Sequence, residues 1–194
     1  FAAGAAVLAG RQLGAGDRDG AGRTVTTVVG ISMFIGMGLC IGGILFMEPL
    51  LTAFGASEAV LPQAKEYAFW MFVAALANLP AQSMNCAARA ESSVRISSVA
   101  VITGAVLNVV LDPVFMFDWG LGLGVGGASL ATTVSQFVTF LILAWFYLCG
   151  HSVIKIKRVY FRPDWKLVKE VTLIGIPTAV IQICLAVATS LTNI

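Results

Sequence analysis

Long apolar runs separated by short polar or glycine-rich stretches organise the whole chain. A helix of about 20 mostly apolar residues crosses the hydrocarbon of a bilayer. Four runs reach that length, at residues 24–47, 66–88, 96–117 and 126–149. Residues 1–9 look like the tail of another span, and 170–194 like a nearly full one. Phe1 opens inside an apolar run with no basic segment before it, which predicts a chain lacking its true N-terminus rather than one led by a signal peptide. The connectors fall at 10–23, 48–65, 89–95, 118–125 and 150–169. This pattern predicts an all-α integral membrane protein, a polytopic bundle of transmembrane helices.

Composition agrees. Of the 194 residues, 58% are apolar and 11% charged, against about 25% charged in soluble domains, and mean hydropathy is +0.91. In water such a chain would expose apolar surface everywhere, which argues against a soluble enzyme or a nucleic-acid binder. The net charge of +2 says little as a sum. By position it says more, because cytoplasmic loops collect Lys and Arg. The first, third and fifth connectors hold Arg11, Arg18, Arg23, Arg89, Arg95, Lys155, Lys157, Arg158, Arg162, Lys166 and Lys169, whereas the second and fourth hold only Lys65. The odd connectors are therefore predicted to be cytoplasmic. Pro163, Asp164 and Trp165 suit the start of an interfacial helix leading into the last span, and a solvated basic loop fits as well. Cys40, Cys86, Cys149 and Cys184 form no CxxC pair and read as free thiols, and His151 as a solvated loop residue.

Polar residues inside spans are expensive, so their spacing is informative. Asn78, Gln82, Asn85 and Arg89 recur at steps of 4, 3 and 4, and Ser129, Thr132, Gln136 and Thr139 at steps of 3, 4 and 3. Thr178, Gln182, Thr189 and Asn193 repeat the theme in the last run. Each set lies on one helix face. Three such faces turned together would either glue helices by hydrogen bonds or line a hydrated cavity, with Asn78, Gln82, Gln136 and Gln182 as its candidate lining.

Asp112 is the one acid well inside a span, with Asn108 one turn before it and Ser97, Gly104 and Ala105 near the same face. A carboxylate at a span's centre costs about 2.5–3.5 kcal/mol on insertion scales. Asp112 stands about five residues, roughly 8 Å, from the outer end, which lowers that cost and opens it to the outside. Pro113 follows, removes the N–H that would bond the Val109 carbonyl and biases Asp112 away from helical geometry. A kink here would free oxygen ligands beside the carboxylate, a way to build a cation site within a membrane.

Gly122, Gly124 and Gly127 have GxGxxG spacing, but no strand precedes them, so a tight turn is predicted rather than a dinucleotide site. Gly38 and Gly42 form GxxxG and predict close helix packing within the bundle. The sequence holds no HExxH, P-loop or GxSxG, and no enzymatic activity is predicted.

Five elements occur in order: Leu13-Gly14-Ala15-Gly16-Asp17; Arg89-Ala90-Glu91; Asn108-Val109-Val110-Leu111-Asp112-Pro113; Gly126-Gly127-Ala128-Ser129-Leu130-Ala131-Thr132; and Gly175-Ile176-Pro177 with Gln182. Together they resemble the multidrug and toxic compound extrusion (MATE) transporters. Ser92 departs from the pattern, standing where Gly usually follows Arg-Ala-Glu. The resemblance implies a twelve-helix transporter of two six-helix lobes. Residues 1–149 would be a partial N-terminal lobe, with the end of the second transmembrane helix followed by the third to sixth at 24–47, 66–88, 96–117 and 126–149. Residues 150–169 would be the cytoplasmic interlobe linker, and 170–194 the seventh helix, opening the C-terminal lobe.

The resemblance further implies a cation or proton site at Asp112, Asn108, Thr132 and Asn85, with no metal beyond Na⁺ at Asp112. It implies no cofactor besides H⁺ or Na⁺ as the coupling ion: oxygen neighbours suit Na⁺, and burial of the Asp suits a proton. The implied function is antiport of amphipathic or cationic organic compounds and drugs out of the cell membrane. Membrane lipids would be its surroundings, nucleic acid no partner, and the full-length protein a monomer. A lipid-linked precursor flippase of the same superfamily, or a non-transporting receptor or scaffold, are the rival expectations.

Overall fold

A computed structural model describes residues 1–118, 120–150, 152–154 and 165–192. These residues form helices α1 (Ala2–Gly14), α2 (Arg18–Leu45), α3 (Met47–Ala53), α4 (Leu61–Ala90), α5 (Val94–Met116), α6 (Gly124–Leu148) and α7 (Trp165–Thr192). Every expected span corresponds to a helix, but the connectors are shorter than the hydropathy pattern predicts. The first shrinks to a turn at residues 15–17, because Gly16 takes φ +80° and the Asp17 carboxylate accepts the Gly20 N–H at 2.8 Å, capping α2 six residues ahead of the apolar run. The second connector contains α3. The proposed interfacial helix is the first turn of α7, continuous with the last span from Trp165; Pro163 and Asp164 lie outside the described residues, as do His151, Lys155, Lys157, Arg158, Arg162 and Asn193.

Among the described residues, four helices are long and apolar enough to cross a membrane: Arg18–Leu45, Val94–Met116, Gly124–Leu148 and Trp165–Leu185. The 30 residues of α4 also exceed the needed length, though Asn78, Gln82 and Asn85 make it more polar than these four.

The chain divides into two units, and α2, α4 and α6 each contribute to both. The first holds residues 1–31, 82–94 and 146–194. Its core joins Ala5 and Leu8 of α1, Val28 of α2 and Val171 of α7, flanked by Leu167 and Ile174. Helices α1 and α7 approach backbone to backbone. A Cβ on Gly4 would collide with the Val171 carbonyl oxygen and lie 2.9 Å from the Gly175 nitrogen, so the small residues permit this crossing. Thr24, fully buried, donates to Gln12 Oε1 at 2.8 Å and ties α2 to α1.

The second unit holds residues 32–81 and 95–145. Here α2 buries Ser32, Gly36, Cys40 and Gly43, one stripe at steps of 4, 4 and 3. A Cβ on Gly36 would lie 2.9 Å from the Ala75 carbonyl oxygen, and one on Gly43 would strike the Phe72 ring. The close packing expected of Gly38 and Gly42 therefore falls to Gly36 and Gly43. Gly38 and Gly42 have nothing within 4 Å of such a Cβ, because at 100° per residue they stand on the far side of the helix. The glycine-rich segment after α5 is the tight turn expected: Gly122 and Gly124 take φ +63° and +54°, and the N–H groups of Leu121 and Leu123 return to the carbonyls of Val114 and Phe115.

Candidate functional site

Helix α5 meets α6 at Ala100 and Gly104, both buried. Two close approaches set the separation of the helices. A Cβ on Gly104 would collide with the Thr139 hydroxyl, which donates to the Ala100 carbonyl at 3.4 Å, and a Cβ on Gly127 would collide with the Phe115 carbonyl. Between these contacts the side chains of Asn108, Asp112 and Thr132 come together. Asn108 Nδ2 donates to Thr132 Oγ1 at 3.1 Å and, along its own helix, to Asp112 Oδ1 at 3.4 Å, a long bond. Thr132 passes its own proton back to the Ala128 carbonyl at 3.1 Å, which leaves its oxygen lone pairs facing α5.

Asp112 is half-buried. It stands at the margin of the α5–α6 contact because the buried stripe runs through Ala100 and Gly104, turned by about 80–120° from it at 100° per residue. Ala105, expected on the inner face, is exposed for the same reason. Helix α5 runs on through Pro113 to Met116, and Asp112 keeps helical backbone geometry, contrary to the expected departure. The turns beyond the proline hold it in place: the Phe117 N–H returns to the Pro113 carbonyl and Gly127 packs on Phe115. Pro113 has no N–H to donate to the Val109 carbonyl. Lys65 pairs with Glu48 at 2.8 Å, and Asp112 takes no part in that pair.

Chemically, the cluster is a carboxylate, an amide and a hydroxyl within hydrogen-bond reach. As oriented, the amide nitrogen donates both to the carboxylate and to the threonine hydroxyl. Turning the amide over would present its carbonyl oxygen instead, making a set of three oxygens suited to a hard cation.

The other expected site residues are placed differently. Asn78 and Gln136 belong to the same unit and are half-buried. Asn85, buried, and Gln82 and Gln182, exposed, belong to the first unit. The second unit also contains a cavity of about 450 Å³, lined by Met47, Lys65, Glu66, Phe69, Trp70, Leu123 and Gly126, and by none of the residues expected to line a substrate cavity. Glu66 and Trp70 carried no pattern in the sequence that would have singled them out.

The MatE family model matches residues 1–114. The chain belongs to the MatE family. Multidrug export protein MepA of Staphylococcus aureus is 25% identical over 183 residues, 94% of this chain and 40% of that protein. A FAD transporter of Shewanella oneidensis is 26% identical over 157 residues, 79% of this chain and 34% of its own length. A solved MATE structure in complex with MaL6 superposes with a TM-score of 0.90 at 27% identity, covering 99% of this chain and 42% of that one. The chain thus spans about 40% of the length of the MatE relatives it matches. Like them it is a multi-pass membrane protein, an all-α bundle corresponding to part of a MATE transporter.

Proposed function

We propose that the full-length protein carrying this sequence is a cation-coupled antiporter that exports amphipathic or cationic organic compounds. The observation that carries the reading is the Asn108 amide shared between Asp112 and Thr132 at the α5–α6 contact. A carboxylate in a span is expensive, and here it stands half-buried at the edge of a helix contact rather than sealed in an ion pair. Membership of the MatE family and likeness to a multidrug export protein support drug export as the transported class.

In mechanism, H⁺ or Na⁺ entering at Asp112 neutralises the carboxylate. The Asn108 amide then loses its charged acceptor and either keeps only Thr132 or turns its carbonyl oxygen to the ion. Either change alters the packing of α5 on α6, which favours release of the organic substrate. Export by vesicles containing the full-length protein, driven by an imposed pH or Na⁺ gradient, tests the reading. Asp112→Asn is expected to abolish gradient-dependent export; export that persists with the same gradient dependence overturns it.

A further inference from the structure

The connector following α6, expected to be a cytoplasmic linker, contains two buried residues, Ser152 (5% exposed) and Ile154 (fully buried). Both bond to Glu91, in the turn after α4. Its Oε2 accepts the Ser152 hydroxyl at 2.6 Å and the Ile154 backbone N–H at 3.1 Å. Ser152 also receives the Ile154 N–H at 3.0 Å, closing a compact hydrogen-bonded turn around the carboxylate. Seven residues earlier on each segment, the buried Tyr147 hydroxyl donates to the Met84 carbonyl at 3.2 Å. Two ties of equal sequence offset therefore join the end of α6 and its connector to the end of α4. They differ in kind. The Tyr147 tie is neutral, whereas the Glu91 tie is charge-assisted. Glu91 Oε1 is buried with no hydrogen-bond partner among the described residues, an arrangement that costs free energy and keeps the tie from being irreversible.

We propose that Glu91 is a positioning residue that latches the connector between α6 and α7 onto the α4–α5 turn. Gly150, with φ +78° two residues past the end of α6, offers a natural pivot. The latch cancels it: residues 152–154 are fastened to the end of α4, so the connector does not swing from the end of α6. This inference rests on the proposed transport function for its consequence, since the connector joins the helices of one lobe to the next in that reading. A latched connector moves residues 152–154 together with the α4–α5 turn. An unlatched one does not.

The test uses the full-length protein with Glu91→Ala, Glu91→Gln and Ser152→Ala, the last leaving α4 untouched should the first variant fail to fold. Amide hydrogen exchange at Ile154 reads the latch. Glu91→Ala is expected to speed exchange about tenfold or more, the scale of losing a charge-assisted bond, and Ser152→Ala to speed it less. Glu91→Gln, whose carbonyl oxygen still accepts both donors, is expected to restore most of the protection. Vesicle export then reads the consequence, with a loss of maximal rate in Glu91→Ala at an unchanged half-saturating substrate concentration and recovery in Glu91→Gln. Unchanged Ile154 exchange in Glu91→Ala overturns the latch. Faster exchange with undiminished export overturns its role in transport. If the unmodified protein exports nothing, the functional reading fails instead, and the exchange measurements still decide the latch.

Discussion

Asn108 Nδ2 lies 3.1 Å from Thr132 Oγ1, and this bond carries the α5 amide across to α6. A double-mutant cycle of Asn108→Ala with Thr132→Val, followed by thermal unfolding in detergent, is expected to give a coupling energy of about 0.5–1.5 kcal/mol. Strict additivity would mean that the bond contributes nothing. Thr132→Ser, which keeps the hydroxyl, is expected to stay near the unmodified protein.

The two glycine contacts flanking that bond make opposite predictions about rescue. Gly104→Ala places a methyl on the Thr139 side chain and Gly127→Ala places one on the Phe115 backbone. Each is expected to cost about 1–3 kcal/mol by overpacking. Adding Thr139→Ala should recover much of the loss at Gly104, because the obstructing atom is then gone, while no side-chain change should rescue Gly127→Ala. Melting temperatures of the single and double variants check this.

Ser92 adopts φ +64°, in the left-handed region that favours glycine. A side chain in that region costs about 1 kcal/mol. Ser92→Gly is expected to stabilise the protein by about 0.5–1 kcal/mol, and a β-branched Ser92→Val to destabilise it, each read as a shift in melting temperature. A fall on Ser92→Gly would show that the serine side chain makes up for the backbone strain.

Gly36 and Gly38 separate packing from propensity. Gly36→Ala brings a methyl to 2.9 Å from the Ala75 carbonyl and should destabilise the protein. Gly38→Ala meets nothing within 4 Å and should stabilise α2 by up to about 1 kcal/mol through helix propensity. Equal effects at the two positions would contradict the packing described for this helix.

The positions of the helices were legible in the sequence because hydropathy registers length and apolarity, and both set a span. The i, i+4 relation of Asn108 and Asp112 was equally legible, being local. What lay beyond local pattern was not. The GxxxG spacing of Gly38 and Gly42 marks a face without saying which face meets a neighbour, and the neighbour chose Gly36 and Gly43. The bias that Pro113 places on Asp112 was outweighed by the turns packed beyond it. Glu91 stood in the sequence only as the end of an Arg-Ala-Glu element, since the residues it bonds lie 61 and 63 positions away. The meeting of Asn108 with Thr132, 24 positions apart, was legible only through family resemblance.

The exposed side of α5 carries Ile102, Val106, Val109 and Val110, each more than half exposed, while its other side carries Gly104, Asn108 and Asp112. That two-sidedness restricts the helix as a moving part. Rolling α5 about its own axis by one residue's angle, 100°, would draw a carboxylate and an amide away from α6 and push branched apolar side chains into a contact sized for glycine. Sliding along or tilting against α6 keeps both sides matched. Motion of α5 that keeps this contact is therefore translation or tilt, with its rotational setting fixed by the close approach of Gly104 to Thr139.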